Sequence, residues 1–174
     1  MESTDGRDAR SLTIALAGDV MLGRIVNRTI AKEGFAYPWG DLLPFLRESD
    51  LFLINLECAL TTRTKGWHDG YSKTFYFRAD PPVVETLKLG RVDFAALANN
   101  HICDFGAEGL QDTIQTLDHA GIAHAGAGRD RAEARAPAIL SACGWKVAVV
   151  AFADHLEAWA ATDTSPGINY VPIA

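Results

Sequence analysis

The sequence predicts an α/β fold, a mostly parallel sheet with flanking helices, on three observations. Short apolar runs recur at residues 12–17, 51–56, 92–98 and 145–153. Segments with apolar side chains at helical spacing alternate with them. The runs also stop at polar side chains: Asp19, Glu57, Asn99-Asn100-His101 and Asp154-His155. Strands that alternate with helices are joined by right-handed crossovers and point their carboxyl ends to one edge, where open sheets hold ligands.

Residues 12–17 (L-T-I-A-L-A) form the first strand, stopped by Gly18-Asp19. A helix follows over residues 20–32, where Met21, Leu22, Ile25, Val26 and Ile30 share a face and Gly34 ends the pattern. A second short helix spans residues 38–48, interrupted or restarted at Pro44. Residues 51–56 (L-F-L-I-N-L) are strand two and deliver Glu57 at their end. The connection over residues 58–78 is longer than compact domains usually carry, and such loops tend to be functional or disordered. Within it, residues 73–78 alternate enough for an edge strand.

Residues 81–89 read as a helix with Pro at its start and Gly90 past its end. Residues 92–98 are strand three, and residues 107–120 are the next helix, with Leu110, Ile114 and Leu117 on one face and Gly121 closing it. A fourth strand at residues 122–125 runs into Gly126-Ala127-Gly128-Arg129. A helical turn over residues 131–135 precedes strand five at residues 145–153, and residues 159–174 read as loop.

A chain of 174 residues, 48% hydrophobic, fills one core, and we expect a disordered leader over residues 1–11 and a single domain over 12–174. The formal charge is −6 and Lys and Arg do not cluster, which argues against nucleic acid or an anionic membrane surface as partner. No apolar segment approaches the roughly 20 residues a bilayer requires. Residues 1–10 have no apolar centre, unlike a signal peptide, so a cytoplasmic protein is expected. Cys58, Cys103 and Cys143 form no C-x-x-C pair and fit reduced thiols. Cys103, two residues from His101, reads as a small buried residue, with zinc ligation as the alternative.

The strand ends carry the chemistry. Asp19, Glu57, an amide oxygen of the Asn99-Asn100 pair and His101 form a donor set suited to one or two divalent ions of Mn, Mg, Fe or Zn. Two carboxylates held at one edge repel unless a cation joins them. Such an ion would make water nucleophilic near neutral pH, and His101 could protonate a leaving group. Asp104 either orients the His101 ring or caps the following helix. Singly, each residue has a plainer reading: a G-D turn, an ordinary strand end, a structural histidine. Their convergence from three strands favours a site.

Asn55, Asn99 and Arg24 adjoin these donors and are secondary candidates, as are His124 and His155 near the predicted edge. The G-A-G-R turn has Arg131 where a dinucleotide fingerprint needs its third glycine, which excludes that cofactor. Its backbone amides, with Arg129, could still hold an anion. His68 and Asp69 read as solvated loop residues, and His119 as a favourable charge at a helix end.

Four segments, G-D-V-M-L-G-R (18–24), N-L-E (55–57), A-N-N-H-I-C-D-F-G-A-E-G-L (98–110) and A-G-I-A-H-A-G-A-G-R (120–129), together resemble the CapA family. This is the poly-gamma-glutamate capsule biosynthesis group, itself similar to calcineurin-like metallophosphoesterases. The resemblance covers about residues 12–153. It implies half of a four-layer α/β/β/α sandwich with a metal centre at the strand ends. By likeness, Asp19 is a first metal ligand, Glu57 takes the place of the bridging carboxylate, Asn100 is an amide ligand and His101 the general acid.

Met21 stands where those phosphoesterases have the His of a D-x-H motif. The later H-x-G-x-E and H-P-H motifs of the family do not occur, and the last histidine is His155, so the chain reads as an amino-terminal half. The implied activity is hydrolysis of a phosphoester or related bond in a small-molecule or polyglutamate-related substrate. The alternatives are a non-catalytic binding or assembly component, or a degenerate fragment whose exposed sheet pairs with a second copy or a missing carboxyl-terminal half. Surface-exported members of the family carry an amino-terminal anchor that this sequence does not show.

Overall fold

The structure, a computed structural model, describes residues 11–68 and 73–173. Residues 1–10 of the expected leader, and Asp69, lie outside the described residues. The chain begins with β1 (Ile14–Val20), α1 (Arg24–Glu33), a 3-10 turn at Gly40–Leu42, α2 (Leu43–Leu46) and β2 (Leu51–Leu56). Two short strands follow, β3 (Ala59–Leu60) and β4 (Arg78–Ala79), then a 3-10 turn at Pro81–Val83 leading into α3 (Val84–Leu89). The next elements are β5 (Phe94–Ala96), α4 (Gly106–Ala120), β6 (Ala123–Ala125), β7 (Ala127–Gly128) and α5 (Arg131–Arg135). The last are β8 (Ala138–Ala142), β9 (Trp145–Val149), a 3-10 turn at Glu157–Trp159 and β10 (Gly167–Ile168).

The central sheet is parallel throughout, in the order β1-β2-β5-β6. Its two faces differ. Phe52, Ile54 and Leu56 of β2 and Ala95 of β5 pack into the main core with Ile30 of α1, Leu87 of α3 and Leu110, Ile114 and Leu117 of α4. On the other face, Leu51, Phe94 and Ala125 meet Ala138 and Leu140 of β8 in a smaller cluster. Beside it Ile14 and Leu16 of β1 stay exposed, Leu16 at 76%. The period-2 alternation of strand side chains makes this division, because neighbouring residues point to opposite faces.

The prediction of a mostly parallel α/β sheet with flanking helices holds, and several elements need correction. Strand five does not join the parallel sheet: β9 is shorter than expected and pairs antiparallel with β8, a strand missed in the sequence. The two-residue turn between them, Cys143-Gly144, has φ of 49° and 78°, and two positive values match the right-handed twist of a tight hairpin. The edge strand expected at 73–78 shrinks to Arg78–Ala79 and pairs parallel with β3. The expected carboxyl-terminal loop contains β10, which pairs antiparallel with β7. Among the described residues, no helix is long and apolar enough to cross a membrane.

Candidate functional site

Asp19 does not follow its strand, as expected, but lies within it, and a bulge aims it. Leu16 pairs with Leu53 and Asp19 with Asn55, so β1 spends one residue more than β2 across this interval. In an unbroken strand Asp19 would face away from the side to which Leu16 points. The extra residue, at Ala17-Gly18, reverses that alternation and turns Asp19 beside Asn55.

Asn55 then joins the two acids. Its Nδ2 donates to Asp19 Oδ1 at 2.8 Å and to Glu57 Oε2 at 2.6 Å. Its own Oδ1 accepts from Asn99 Nδ2 at 2.9 Å, which fixes which way the amide faces. Asn99 Nδ2 also donates to the Leu56 carbonyl, and Asn99 Oδ1 accepts from the backbone N–H of His101 and Ile102. Asn99 therefore ties the end of β2 to the turn that carries His101. Glu57 is 8% exposed, whereas Asp19 is open to solvent. Burial, and next the charge of Asp19, push the Glu57 carboxyl above its ordinary 4.5.

His101 stands at the next strand end. Its Nδ1 lies 2.7 Å from Asp104 Oδ2, which also accepts from the Phe77 backbone N–H at 2.6 Å. Asp104 is fully buried, and its other oxygen pairs with Lys73 Nζ. Of the two readings of Asp104, the contacts match the imidazole neighbour: the residue preceding α4 is Phe105, it provides no side-chain cap, and the Asp104 carboxylate lies against the His101 ring. The Asp104 carboxylate, ion-paired with Lys73, can only accept, so His101 Nδ1 is the donor in this contact. Phe77 stacks on the ring at 3.9 Å.

The remaining candidates divide. Asn100 offers its carbonyl oxygen to Lys73. Arg24 opens α1 with φ of 56° and lies over the Phe75 and Phe77 rings, at 5.5 and 6.0 Å from their centres. His155 meets the edge of Trp159 at 6.1 Å, and burial lowers its pKa. His124 and Arg129 belong to a separate cluster: His124 Nε2 lies 3.1 Å from Asp118, and Arg129 pairs with Glu133 and Asp118. The anion expected at the G-A-G-R turn is internal, because the Arg129 backbone N–H and guanidinium both donate to the Glu133 carboxylate. Cys103 is buried as expected, and burial pushes its thiol up to about 12.

Sequence reading missed Lys73, Phe77 and Trp159. Lys73 and Phe77 lie in the stretch read as an edge strand and Trp159 in the expected carboxyl-terminal loop, and neither reading marks them as neighbours of the Asp104 carboxylate. Among the described residues, no group of three or more His, Cys, Asp or Glu is arranged to hold a metal ion. A cleft of about 600 Å³ lined by Arg63, Trp67, His68 and Phe105 lies apart from the carboxylates.

Comparison with known proteins places the sequence. The family model described as bacterial capsule synthesis protein PGA_cap matches residues 13–172. The capsule biosynthesis protein CapA of Bacillus anthracis is 30% identical over 162 residues, which are 92% of this chain and 39% of that protein. A probable polyglutamine synthesis accessory protein of Mycobacterium tuberculosis is 32% identical over 195 residues, 90% of this chain and 50% of its own length. The PGA biosynthesis protein CapA of Bacillus subtilis is 25% identical over 159 residues, 90% of this chain and 41% of its own. The chain thus spans two-fifths to one half of these relatives. With the family's model covering nearly all of its length, the chain belongs to the bacterial capsule synthesis protein PGA_cap family.

Proposed function

We propose that this chain carries the acid pair and the acid–base histidine of a divalent-metal-dependent hydrolase. Its bond would be a phosphoester or a related one, and its setting capsule or polyglutamate synthesis, as the relatives' names suggest. One observation supports the reading above others. Asp19 and Glu57 share a single neutral donor, Asn55, beside a His101 whose Nδ1 is held by Asp104.

The residues fit a hard cation in charge and donor type. Two carboxylates meet with one N–H₂ group between them, and burial, then the charge of Asp19, pushes Glu57 toward protonation. Asp19 and Glu57 would hold the ion, with Asn100 as an amide donor, and they do not enclose it by themselves. When bound, such an ion supplies Lewis-acid polarisation of the scissile bond. Asn55 spaces the two acids, and Asn99 holds Asn55 and the His101 turn in one register. His101, as the imidazolium with Nδ1–H held by Asp104, gives its Nε2 proton to the departing oxygen and is left neutral with the Nδ1 proton in place.

The test is turnover of bis(p-nitrophenyl) phosphate with added Mn, with chelator, and in Asp19→Ala and His101→Ala. We expect metal-dependent turnover that both variants reduce by about 10²-fold or more, the range of general acid–base contributions. No bound divalent ion by calorimetry, with both variants indistinguishable from the parent, would refute it. A second reading, a non-catalytic component of polymer synthesis, draws support from Asn55. Its N–H₂ already bridges the acids, as a cation otherwise would. Turnover abolished by chelator would argue against that reading.

A further inference from the structure

We infer that Lys73 is the positioning residue of the His101–Asp104 pair, holding both shoulders of the His101 turn with one ammonium group. The inference rests on the role proposed above for His101. Lys73 lies in the irregular connection between β3 and β4, yet its side chain is only 9% exposed. Nζ donates to the Asn100 carbonyl and to Asp104 Oδ1, and stands 4.8 Å from the centre of the Trp159 ring. A carbonyl, a carboxylate and an aromatic face surround it.

Burying an ammonium costs several kcal/mol before its partners offset it, and an ordered lysine also loses rotamer freedom. An apolar side chain of similar length would fill the space against Trp159 without that cost. The charge therefore needs an explanation, and the contacts give one. Asp104 Oδ1 is taken by Lys73, while Oδ2 accepts from Phe77 N–H and His101 Nδ1. With the carboxylate held in that orientation, Nδ1 must donate, which leaves Nε2 as the nitrogen that the role proposed for His101 uses. The second contact, to Asn100, fixes the residue before His101. Lys73 acts through these groups and touches no reacting atom.

Trp159 extends the device. It packs edge-on against Trp67 at 5.4 Å, and the Trp67 backbone N–H donates to the Asp104 carbonyl at 2.8 Å. The connection before β4 and the segment after β9 thus meet over one ion pair.

The experiment compares the 174-residue chain with Lys73→Met, Lys73→Ala and Lys73→Arg. One readout is independent of catalysis: the imidazole N–H proton resonance of His101, assigned by its loss in His101→Gln. The others are Mn-dependent turnover of bis(p-nitrophenyl) phosphate and its rescue by ethylammonium. We expect the resonance to shift or vanish in Lys73→Met. The kcat should fall about 10–100-fold, the usual cost of losing an orienting partner, with KM changed less than about 2-fold. Ethylammonium, but not tetramethylammonium, should restore part of both signals in Lys73→Ala.

A Lys73→Met protein that loses thermal stability while keeping resonance and kcat would overturn the inference and leave Lys73 a loop staple. If that variant does not fold, Lys73→Arg decides: an unmoved resonance overturns the inference, a displaced one supports it. A parent chain without turnover whose His101 resonance still depends on Lys73 would sink the hydrolase reading and leave this one standing.

Discussion

His101 and Asp104 meet at 2.7 Å through Nδ1 and Oδ2, across a turn and not along a helix face. The turn is closed by the Asp104 backbone N–H, which donates to the His101 carbonyl at 3.1 Å. Asp104→Asn keeps the shape, but the amide no longer offers a carboxylate to Nδ1, and it leaves Lys73 without its counter-ion. Removing one partner of a buried pair costs about 3–5 kcal/mol. Urea unfolding should show a loss of that size, and kcat for metal-dependent turnover should drop about 10–100-fold. Unchanged stability would mean the pair is solvated and its geometry incidental.

Glu57 gives a pH test. Burial first, and Asp19 second, raise its pKa above 4.5 in the folded chain, with Asn55, His101 and Lys73 acting the other way. The folded state then binds more protons than the unfolded one between 4.5 and the raised value, so stability falls as pH rises through that window. Below 4.5 the penalty is absent. Glu57→Gln keeps the acceptor for Asn55 and removes the charge. It should raise the thermal midpoint at neutral pH in chelator and lose that advantage as pH falls to 4.5. Added Mn should raise the midpoint of the parent chain and not that of the variant. A variant less stable than the parent at pH 7 contradicts the sign.

Asn99 makes four hydrogen bonds in a buried position, two accepted by its oxygen and two donated by its N–H₂. Asn99→Ala strands the His101 and Ile102 amides, the Leu56 carbonyl and the Asn55 oxygen. Each stranded buried group costs about 1–3 kcal/mol. Relaxation and entering water recover part of this, so we expect a loss of at least about 2–3 kcal/mol in urea unfolding. Crosspeaks of Asn55 and His101 should shift together in heteronuclear spectra. A loss below about 0.5 kcal/mol would show that the relay contributes little.

How far the sequence foretold this site follows from which residues sit on periodic elements. β2 matches its predicted bounds because an apolar run, broken only by Asn55, lies between Asp50 and Glu57. Asp19, Glu57 and His101 were legible as polar residues at the ends of such runs. The bulge that aims Asp19 was not, since Ala17-Gly18 reads equally as a strand's end. β9 was assigned to the parallel sheet because its apolar run resembles a buried strand. The Cys143-Gly144 turn between two apolar stretches was the overlooked hairpin signal. Lys73 read as the start of an edge strand and Trp159 as loop, and neither reading names a partner. Their partners are distant in sequence: the fold brings Lys73 to Asp104 and Trp159 to Lys73.

Two leucines on adjacent strands test which face of the sheet is the core. Leu56 is fully buried among Ile54, Leu97 and the helices, whereas Leu16 of β1 is 76% exposed. The same truncation at each position removes the same atoms, so any difference is environment. Leu56→Ala creates a cavity and should cost about 2–5 kcal/mol. Leu16→Ala, already in water, should stay within about 0.5 kcal/mol. Urea unfolding of both variants at micromolar concentration, with sedimentation to confirm a monomer, measures the pair. Equal losses would mean that the face bearing Leu16 is covered in solution, and that the helices bound only one of two cores.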